Sequence, residues 1–276
     1  MSQRDDYEPG VPCWVDTLQP DPDAAMAFYA ALFGWQFAGP GDMPGDPRGR
    51  YFVAGLRGRD VAGVGSQPAG SSPPAPGWNT YVHVGSADEA ARSARSAGGA
   101  VLVEPFDALP AGRMAVLADP GGAPFCVWEA KERKGAQLVN EPAAWAMSHL
   151  STPDPEHAAA FYGALFGWTT ETFGEGAGAG AVTMFRLPGY VGGEPQQPVS
   201  RDVIATMGTR DDAPPQWSVN FWDHDVDATA AKAVELGGTA IATPFDTPIS
   251  RMAVLADPYG ASFSISNVPG RMSELR

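Results

Sequence analysis

An eight-residue run, FYAALFGW at 28–35, returns as FYGALFGW at 161–168, and RMAVLADP at 113–120 returns unchanged at 251–258. Self-similarity of this kind, in the same order and at long period, marks a chain built from repeated structural units. The offset is 133 residues for the first run, 139 for Trp78 and Trp217, and 138 for the second run, so the two copies differ only in loop length. Two units are also what 276 residues predict, since one average domain takes about 100–150. The repeats are expected over 10–133 and 144–270, joined by a connector over 134–143 that contains KGAQLVNEP.

Each copy shows the same local signals. Asp21 followed by Pro22 reads as a helix N-cap and first-turn proline, and the stripe Ala25, Phe28, Tyr29, Leu32 continues to a stop at Gly34. Asp154, Pro155 and Gly167 repeat the pattern. A second helix starts at Ser86, where Glu89 completes a capping box, and ends at Gly98 and Gly99; Asp225 to Gly238 is its counterpart. Strands are expected before each helix (CWVDT, NTYVHV, AMSHL, SVNFW) and after it. The candidates after it are YFVAGL, DVAGVG, RMAVLA and PFCVWE in the first copy, and TMFRL, DVIATM, RMAVLA and SFSISN in the second. The unit is therefore a strand, a helix and several strands, used twice per copy, with SQPAGSSPPAPG (66–77) and DDAPPQ (211–216) linking the two uses.

Composition narrows the possible partners. Hydrophobic residues make up 44% and charged residues 18%, with 33 Gly and 27 Pro, which fits a strand-rich globular chain with many turns. Acidic residues outnumber basic ones 32 to 18, a formal charge of −14 that repels phosphate backbones and anionic headgroups, so neither nucleic acid nor membrane is an expected partner. The start, MSQRDDYEPG, lacks the apolar core of a signal peptide, and a cytoplasmic bacterial protein is expected. Cys13 and Cys126 lack the paired spacing of a zinc site or a disulfide framework and are expected to be free thiols.

Taken together, the Asp-Pro and FYxxLFGW run, Trp78-x-x-Tyr81-Val82 ahead of an Ala-rich helix ending in Gly98-Gly99, and GRMAVLxDPxGAxF resemble the vicinal-oxygen-chelate superfamily of glyoxalase and bleomycin-resistance-like proteins. The likeness is greatest to its double-domain actinobacterial glyoxalase-like or hydroxylase-like members. It covers nearly the whole chain and implies an α+β fold: a tandem duplication of a domain made of paired strand-helix-three-strand modules, whose curled sheets form cups around a ligand site. Metal-dependent members of the family place His, His or Gln, and Glu on the first strand of each module and on the closing strand. The matching residues here are Asp16, Asn79 and Cys126 in the first copy and His149, Ser218 and Ser264 in the second. Neither set supplies two His and a carboxylate, so the expectation is no catalytic metal and no other cofactor.

Strand side chains alternate between faces, so placing Asp16 toward the cup places Trp14 there and turns Cys13 and Val15 away. The same rule puts Asn79, Tyr81, His83, Cys126 and Trp128 on the first cup face, and Met147, His149, Ser218, Asn220, Trp222, Ser264 and Ser266 on the second. The first face is aromatic with one carboxylate and suits a flat apolar or weakly cationic molecule; the second is hydroxylic with one histidine. Asp16 and His149, at equivalent first-strand positions, are the candidate acid and base, able to exchange protons near neutrality. His83, His157 and His224 are expected to meet solvent, and Arg113 and Arg251 to be structural, since both copies need them equally. The glycine-rich GEGAGAG (174–180) precedes a strand instead of a helix, so it does not read as a phosphate cradle; it and 39–49 are lid candidates.

Three functions compete. The first is a binding protein for a small apolar or aromatic molecule, and the second a metal-independent hydroxylase-like or lyase-like enzyme of secondary metabolism or detoxification that uses Asp16 or His149. The third is a metal-dependent lyase or dioxygenase, which the absent ligands count against. The duplication permits a monomer.

Overall fold

The computed structural model describes residues 3–43, 49–68, 77–173, 182–192, 201–247 and 250–267. The segment 174–180, part of the second lid candidate (44–48) and most of the proline-rich linker (69–76) lie outside the described residues.

The order of strand, helix and three strands occurs four times. The first module is β1 (Pro12–Gln19), α1 (Pro22–Phe33), β2 (Gln36–Asp42), β3 (Arg50–Leu56) and β4 (Arg59–Ser66). The second is β5 (Trp78–His83), α2 (Ala87–Ser96), β6 (Ala100–Ala108), β7 (Gly112–Ala118) and β8 (Pro124–Ala130). The second copy supplies β9 (Trp145–Thr152), α3 (Pro155–Phe166), β10 (Thr169–Phe173), β11 (Val182–Arg186) and β12 (Val203–Thr209). It ends with β13 (Gln216–Trp222), α4 (Val226–Glu235), β14 (Thr239–Asp246), β15 (Arg251–Ala256) and β16 (Ser262–Asn267). Strand order is β2-β3-β4-β1-β5-β8-β7-β6 in one sheet and β10-β11-β12-β9-β13-β16-β15-β14 in the other. This is the α+β duplication expected from the repeat.

All four helix starts are those read from the sequence. Asp21, Ser86, Asp154 and Asp225 each accept a hydrogen bond from the backbone N–H three residues on, satisfying one otherwise unpaired donor of the first turn. Gly34 and Gly167 close α1 and α3 in the left-handed conformation, at φ 74° in both.

The strands not named from the sequence are β2, β6, β10 and β14, one per module, and each is the outermost strand of its sheet. An edge strand has a neighbour on one side only, and the faces of these are little covered: β10 is exposed along its whole length, and β6 and β14 are mostly exposed. With no buried face there is no apolar alternation to read. Pro40, Pro105 and Pro244 sit in three of these strands, where a missing N–H costs no ladder bond.

Two compact units form, and each draws on both copies. Unit 1 comprises Met1–Trp14, Asn79–Gly135 and Met147–Ser218; unit 2 comprises Val15–Trp78, Ala136–Ala146 and Val219–Arg276. Within unit 1, α2 packs on α3 around Ala87, Ala91, Ala94, Phe125, Phe161 and Tyr162. Within unit 2, α1 packs on α4, and Tyr29, Phe33, Trp35, Trp78, Phe221 and Phe263 form a continuous aromatic cluster. Most of the segment expected as a connector belongs to unit 2: Ala136, Leu138 and Val139 are buried, and Gln137 N–H bonds the Asp60 carbonyl at 2.7 Å.

The duplicated motifs meet each other crosswise. In unit 2, Tyr29 of the first copy donates to Asp257 of the second at 3.0 Å and accepts from Trp78 Nε1 at 3.1 Å. Gln19 Nε2 also reaches the Asp257 carboxylate at 2.7 Å, and the backbone N–H groups of Tyr259 and Ala261 bond its other oxygen. Unit 1 mirrors this arrangement. Tyr162 of the second copy donates to Asp119 of the first at 3.2 Å and accepts from Trp217 Nε1 at 2.8 Å. Burial raises the Asp119 carboxyl above its ordinary pKa, opposed by the hydrogen bonds from Ala123 and Tyr162. The neighbouring phenylalanines behave alike: a side chain on Gly99 would meet the Phe161 ring at 2.7 Å, and one on Gly238 would meet Phe28 at 3.2 Å. The FY pair, the paired glycines and the Asp-Pro motif are thus the joint of each unit, which is why both copies carry them.

Arg113 and Arg251 are structural, as expected. Arg113 forks onto Asp88 at 2.8 and 3.0 Å, and Arg251 onto Asp227 at 2.6 and 2.7 Å, tying β7 and β15 to the first turns of α2 and α4. The guanidinium holds each aspartate below the usual carboxylate range.

Candidate functional site

Register confirms that Asp16 and His149 are equivalent: Asp16 pairs with Gly63 of β4, and His149 with Thr206 of β12. Their surroundings differ. In unit 2, Asp16 is 1% exposed and accepts a hydrogen bond from the Tyr51 hydroxyl at 2.9 Å. In unit 1, His149 is half-buried, and its Nδ1 lies 2.9 Å from the Thr206 hydroxyl directly across the ladder. Ser218 donates to the His149 carbonyl at 3.3 Å.

Desolvation pulls the His149 pKa from 6.5 down to about 4. The ring is therefore neutral at pH 7 and does not cycle its proton near neutrality, contrary to the expectation from its residue type. Its folded pKa lies below its unfolded one, so the unfolded chain binds the extra proton between pH 6.5 and 4. The associated stability is complete above pH 6.5 and is lost as pH falls through 4. Its ceiling is about 3 kcal/mol at 1.36 kcal/mol per unit, and about half that once the solvent contact of the ring is allowed for. Urea midpoints for the parent and His149→Gln, at pH 7 and pH 4.5, are expected to show a smaller acid loss in the variant. Equal losses would contradict the burial assigned to this ring.

Trp14, Tyr81 and Trp128, the aromatic candidates of the first cup face, all belong to unit 1. Tyr81 and Trp128 meet edge to face, with ring centres 6.4 Å apart at 84°, and Tyr81 sits opposite Cys126 in the β5–β8 ladder. The Trp128 indole N–H donates to the Arg133 carbonyl at 2.8 Å, fixing the ring, while the Arg133 guanidinium lies 5.9 Å over the Trp14 ring. That cation already occupies a face of Trp14, so the suitability for a weakly cationic molecule expected from the sequence does not hold at this ring. Trp14, Tyr81, Cys126 and Trp128 are buried, and Asn79 is half-buried. His83 is also half-buried instead of solvent-facing: its Nδ1 is enclosed with no partner among the described residues, because β5 is flanked on both sides in its sheet. His157 and His224 are exposed.

In unit 2, the second copy replaces these aromatics with a closed polar network. Asn220 donates to Ser264 at 2.9 Å, Ser266 donates to Asn220 at 2.8 Å, and Ser264 reaches the Val219 carbonyl at 3.3 Å. These groups satisfy one another. Trp222 is half-buried in this unit, and Met147 is half-buried in unit 1.

The model of the glyoxalase-like domain matches twice, over residues 14–128 and 133–266. The chain belongs to the glyoxalase-like domain family. It is 38% identical to the putative glyoxylase CFP32 of Mycobacterium tuberculosis over 269 residues, covering 96% of this chain and 97% of the relative. It is 34% identical to the anthracycline biosynthesis protein DnrV of Streptomyces peucetius over 271 residues, covering 94% of each. Solved structures share the fold at low identity. The Mn(II)-bound glyoxalase from Novosphingobium aromaticivorans superposes with a TM-score of 0.61 at 17% identity, over 93% of this chain and 81% of that one. The 2,3-dioxygenase LapB from Pseudomonas sp. KL28 gives 0.63 at 12%, over 94% and 93%. These neighbours share the fold of the glyoxalase-like repeats, the one that the resemblance to the vicinal-oxygen-chelate superfamily implies.

A metal is implied by that superfamily, and the donors at the matching positions do not fit one. Each copy offers one strong donor, Asp16 or His149, beside amide, thiol or hydroxyl groups, and Ser218 and Ser264 are already hydrogen-bonded within the protein. Among the described residues no three His, Cys, Asp or Glu side chains come together in a way that could hold a metal ion. Cys13 and Cys126 form no disulfide and are buried, and desolvation pushes the Cys13 thiol well up, so it stays protonated. No helix among the described residues is long and apolar enough to cross a membrane.

Three residues next to the expected positions were not singled out from the sequence: Tyr51, Thr206 and Arg133. Tyr51 left a trace in the alternating glycines of DVAGVG, since glycine inside a strand marks close approach by another group. Thr206 and Arg133 left none, because strand register and a post-strand turn decide what they meet.

Proposed function

We propose that this glyoxalase-like protein binds a small, flat, uncharged aromatic molecule through its first copy and does so without a catalytic metal. The observation that carries this is the contrast at equivalent positions. Tyr81, Cys126 and Trp128 present a fixed aromatic face in unit 1, where Asn220, Ser264 and Ser266 in unit 2 hydrogen-bond each other. A self-satisfied network gives little to a ligand, whereas oriented aromatic rings stack on one. In this reading Trp14 adds a third ring and Asn79 a side-chain amide to the same site. The relative named for anthracycline biosynthesis supports a flat polycyclic ligand for this chain, and the acidic charge of −14 disfavours nucleic acid and anionic membranes as partners. The proposed setting is the cytoplasm.

Native mass spectrometry with 1,2-dihydroxyanthraquinone tests this. One molecule per chain, released with its mass unchanged, is the expected result. No complex with it, or with other fused-ring aromatics, would overturn the proposal.

A second function, metal-independent enzyme chemistry, is favoured by one observation: the buried Asp16 carries a proton-bearing neighbour in Tyr51. A released ligand of altered mass, formed by the parent and about 10²-fold more slowly by Asp16→Asn, would establish it.

A further inference from the structure

We infer that His83 donates a hydrogen bond from its Nε2 to a carbonyl oxygen of the aromatic molecule, so that the preferred ligand is a flat aromatic ketone or quinone. This rests on the proposed binding by the first copy and names the ligand class of that same site. His83 lies two residues beyond Tyr81 on β5, so its side chain leaves the strand on the same face. Its register partner on β8 is Trp128, the ring whose indole N–H is held by the Arg133 carbonyl. Imidazole and indole therefore stand side by side on neighbouring strands, and both belong to unit 1 with Tyr81.

The imidazole has a donor to spare on its open side. The residue is half-buried with Nδ1 enclosed, and among the described residues neither ring nitrogen has a hydrogen-bond partner. An N–H shut away from water and from any acceptor forfeits its bond, so the ring proton sits on Nε2, which faces outward. His149, the other half-buried histidine, is instead anchored by Thr206. The pair equivalent to His83 and Trp128 in the second copy is Trp222 beside Ser266, with ring and polar group exchanged between the strands. There the polar member is used inside the protein, since Ser266 donates to Asn220 at 2.8 Å. In the first copy the polar member is left for a ligand. A carbonyl oxygen in the plane of fused rings meets the N–H while those rings stay against Trp128. A methylene at the same place strips the N–H of water and returns nothing.

The test titrates the full chain with 2-hydroxyfluorenone and 2-hydroxyfluorene, flat molecules that differ by a carbonyl against a methylene, in the parent, His83→Phe and His83→Gln. The parent is expected to bind the ketone about 3- to 10-fold more tightly, the range of one neutral hydrogen bond. His83→Phe keeps a ring beside Trp128 and removes the donor. It is expected to bind the two compounds equally, and to melt at or above the temperature of the parent, because the enclosed unpartnered nitrogen is gone. His83→Gln, whose amide can offer an N–H at this place, is expected to keep part of the preference. A preference that survives in His83→Phe, even with both affinities lowered, would overturn the inference and leave His83 a packing residue. Without ligand, the ¹⁵N shifts of the His83 ring, assigned by their loss in His83→Phe, are expected to place the proton on Nε2; a proton on Nδ1 would also overturn the inference. Equal binding of the two compounds by the parent removes the inference alone. Binding of neither removes the aromatic-ligand proposal and this inference with it.

Discussion

Asp257→Ala is expected to destabilise the protein by about 2–4 kcal/mol, since buried hydrogen-bond donors left without their acceptor cost about 1–3 kcal/mol each. Its carboxylate takes hydrogen bonds from Gln19, Tyr29, Tyr259 and Ala261, and alanine would leave all four donors of this buried joint without that partner. Asp119→Ala is expected to act in the same direction in unit 1, where Tyr162 and Ala123 lose their acceptor. Tyr29→Phe, which keeps the ring and removes one hydroxyl, is expected to cost only about 1–2 kcal/mol. Urea unfolding at pH 7, followed by tryptophan fluorescence, measures all three. A loss below about 1 kcal/mol for Asp257→Ala would mean that the crosswise joint is not what holds unit 2 together.

The second large effect is on binding. Trp128→Leu is expected to weaken binding of 1,2-dihydroxyanthraquinone by about 30-fold, or about 2 kcal/mol, the threshold for a central aromatic anchor. Leucine keeps apolar volume but loses both the flat face and the indole N–H that Arg133 holds in place. Ser266→Ala, at the equivalent position of the second copy, is expected to change this affinity by less than about twofold. Its cost falls on stability, about 1 kcal/mol, because Asn220 loses a donor. Comparable affinity losses from the two substitutions would remove the asymmetry between the copies.

Much of the fold was legible because its signals are local. Asp21, Ser86, Asp154 and Asp225 cap helices through bonds reaching only three residues, so sequence spacing alone reveals them. The edge strands β2, β6, β10 and β14 were not legible, since exposure erases the alternation that marks a strand, and their prolines read as turns. The joints were hidden for another reason. Tyr29 and Asp257 are far apart in sequence, and nothing in either motif says that it pairs with the opposite copy instead of its own. At the candidate site, strand alternation grouped Trp14 with Asp16 and Tyr81 with Cys126 and Trp128. It could not show that Tyr51 reaches over two glycines, that Arg133 covers Trp14, or that desolvation keeps His149 neutral. Those depend on register, on a turn and on burial, none of which residue type encodes.

Isothermal titration of the full chain with 1,2-dihydroxyanthraquinone tests most directly the claim that the first copy alone carries an aromatic ligand site. One molecule bound per chain, with the heat largely lost in Trp128→Leu and retained in Ser266→Ala, is the predicted result. Two equivalent sites per chain, or a single site indifferent to Trp128, would contradict it.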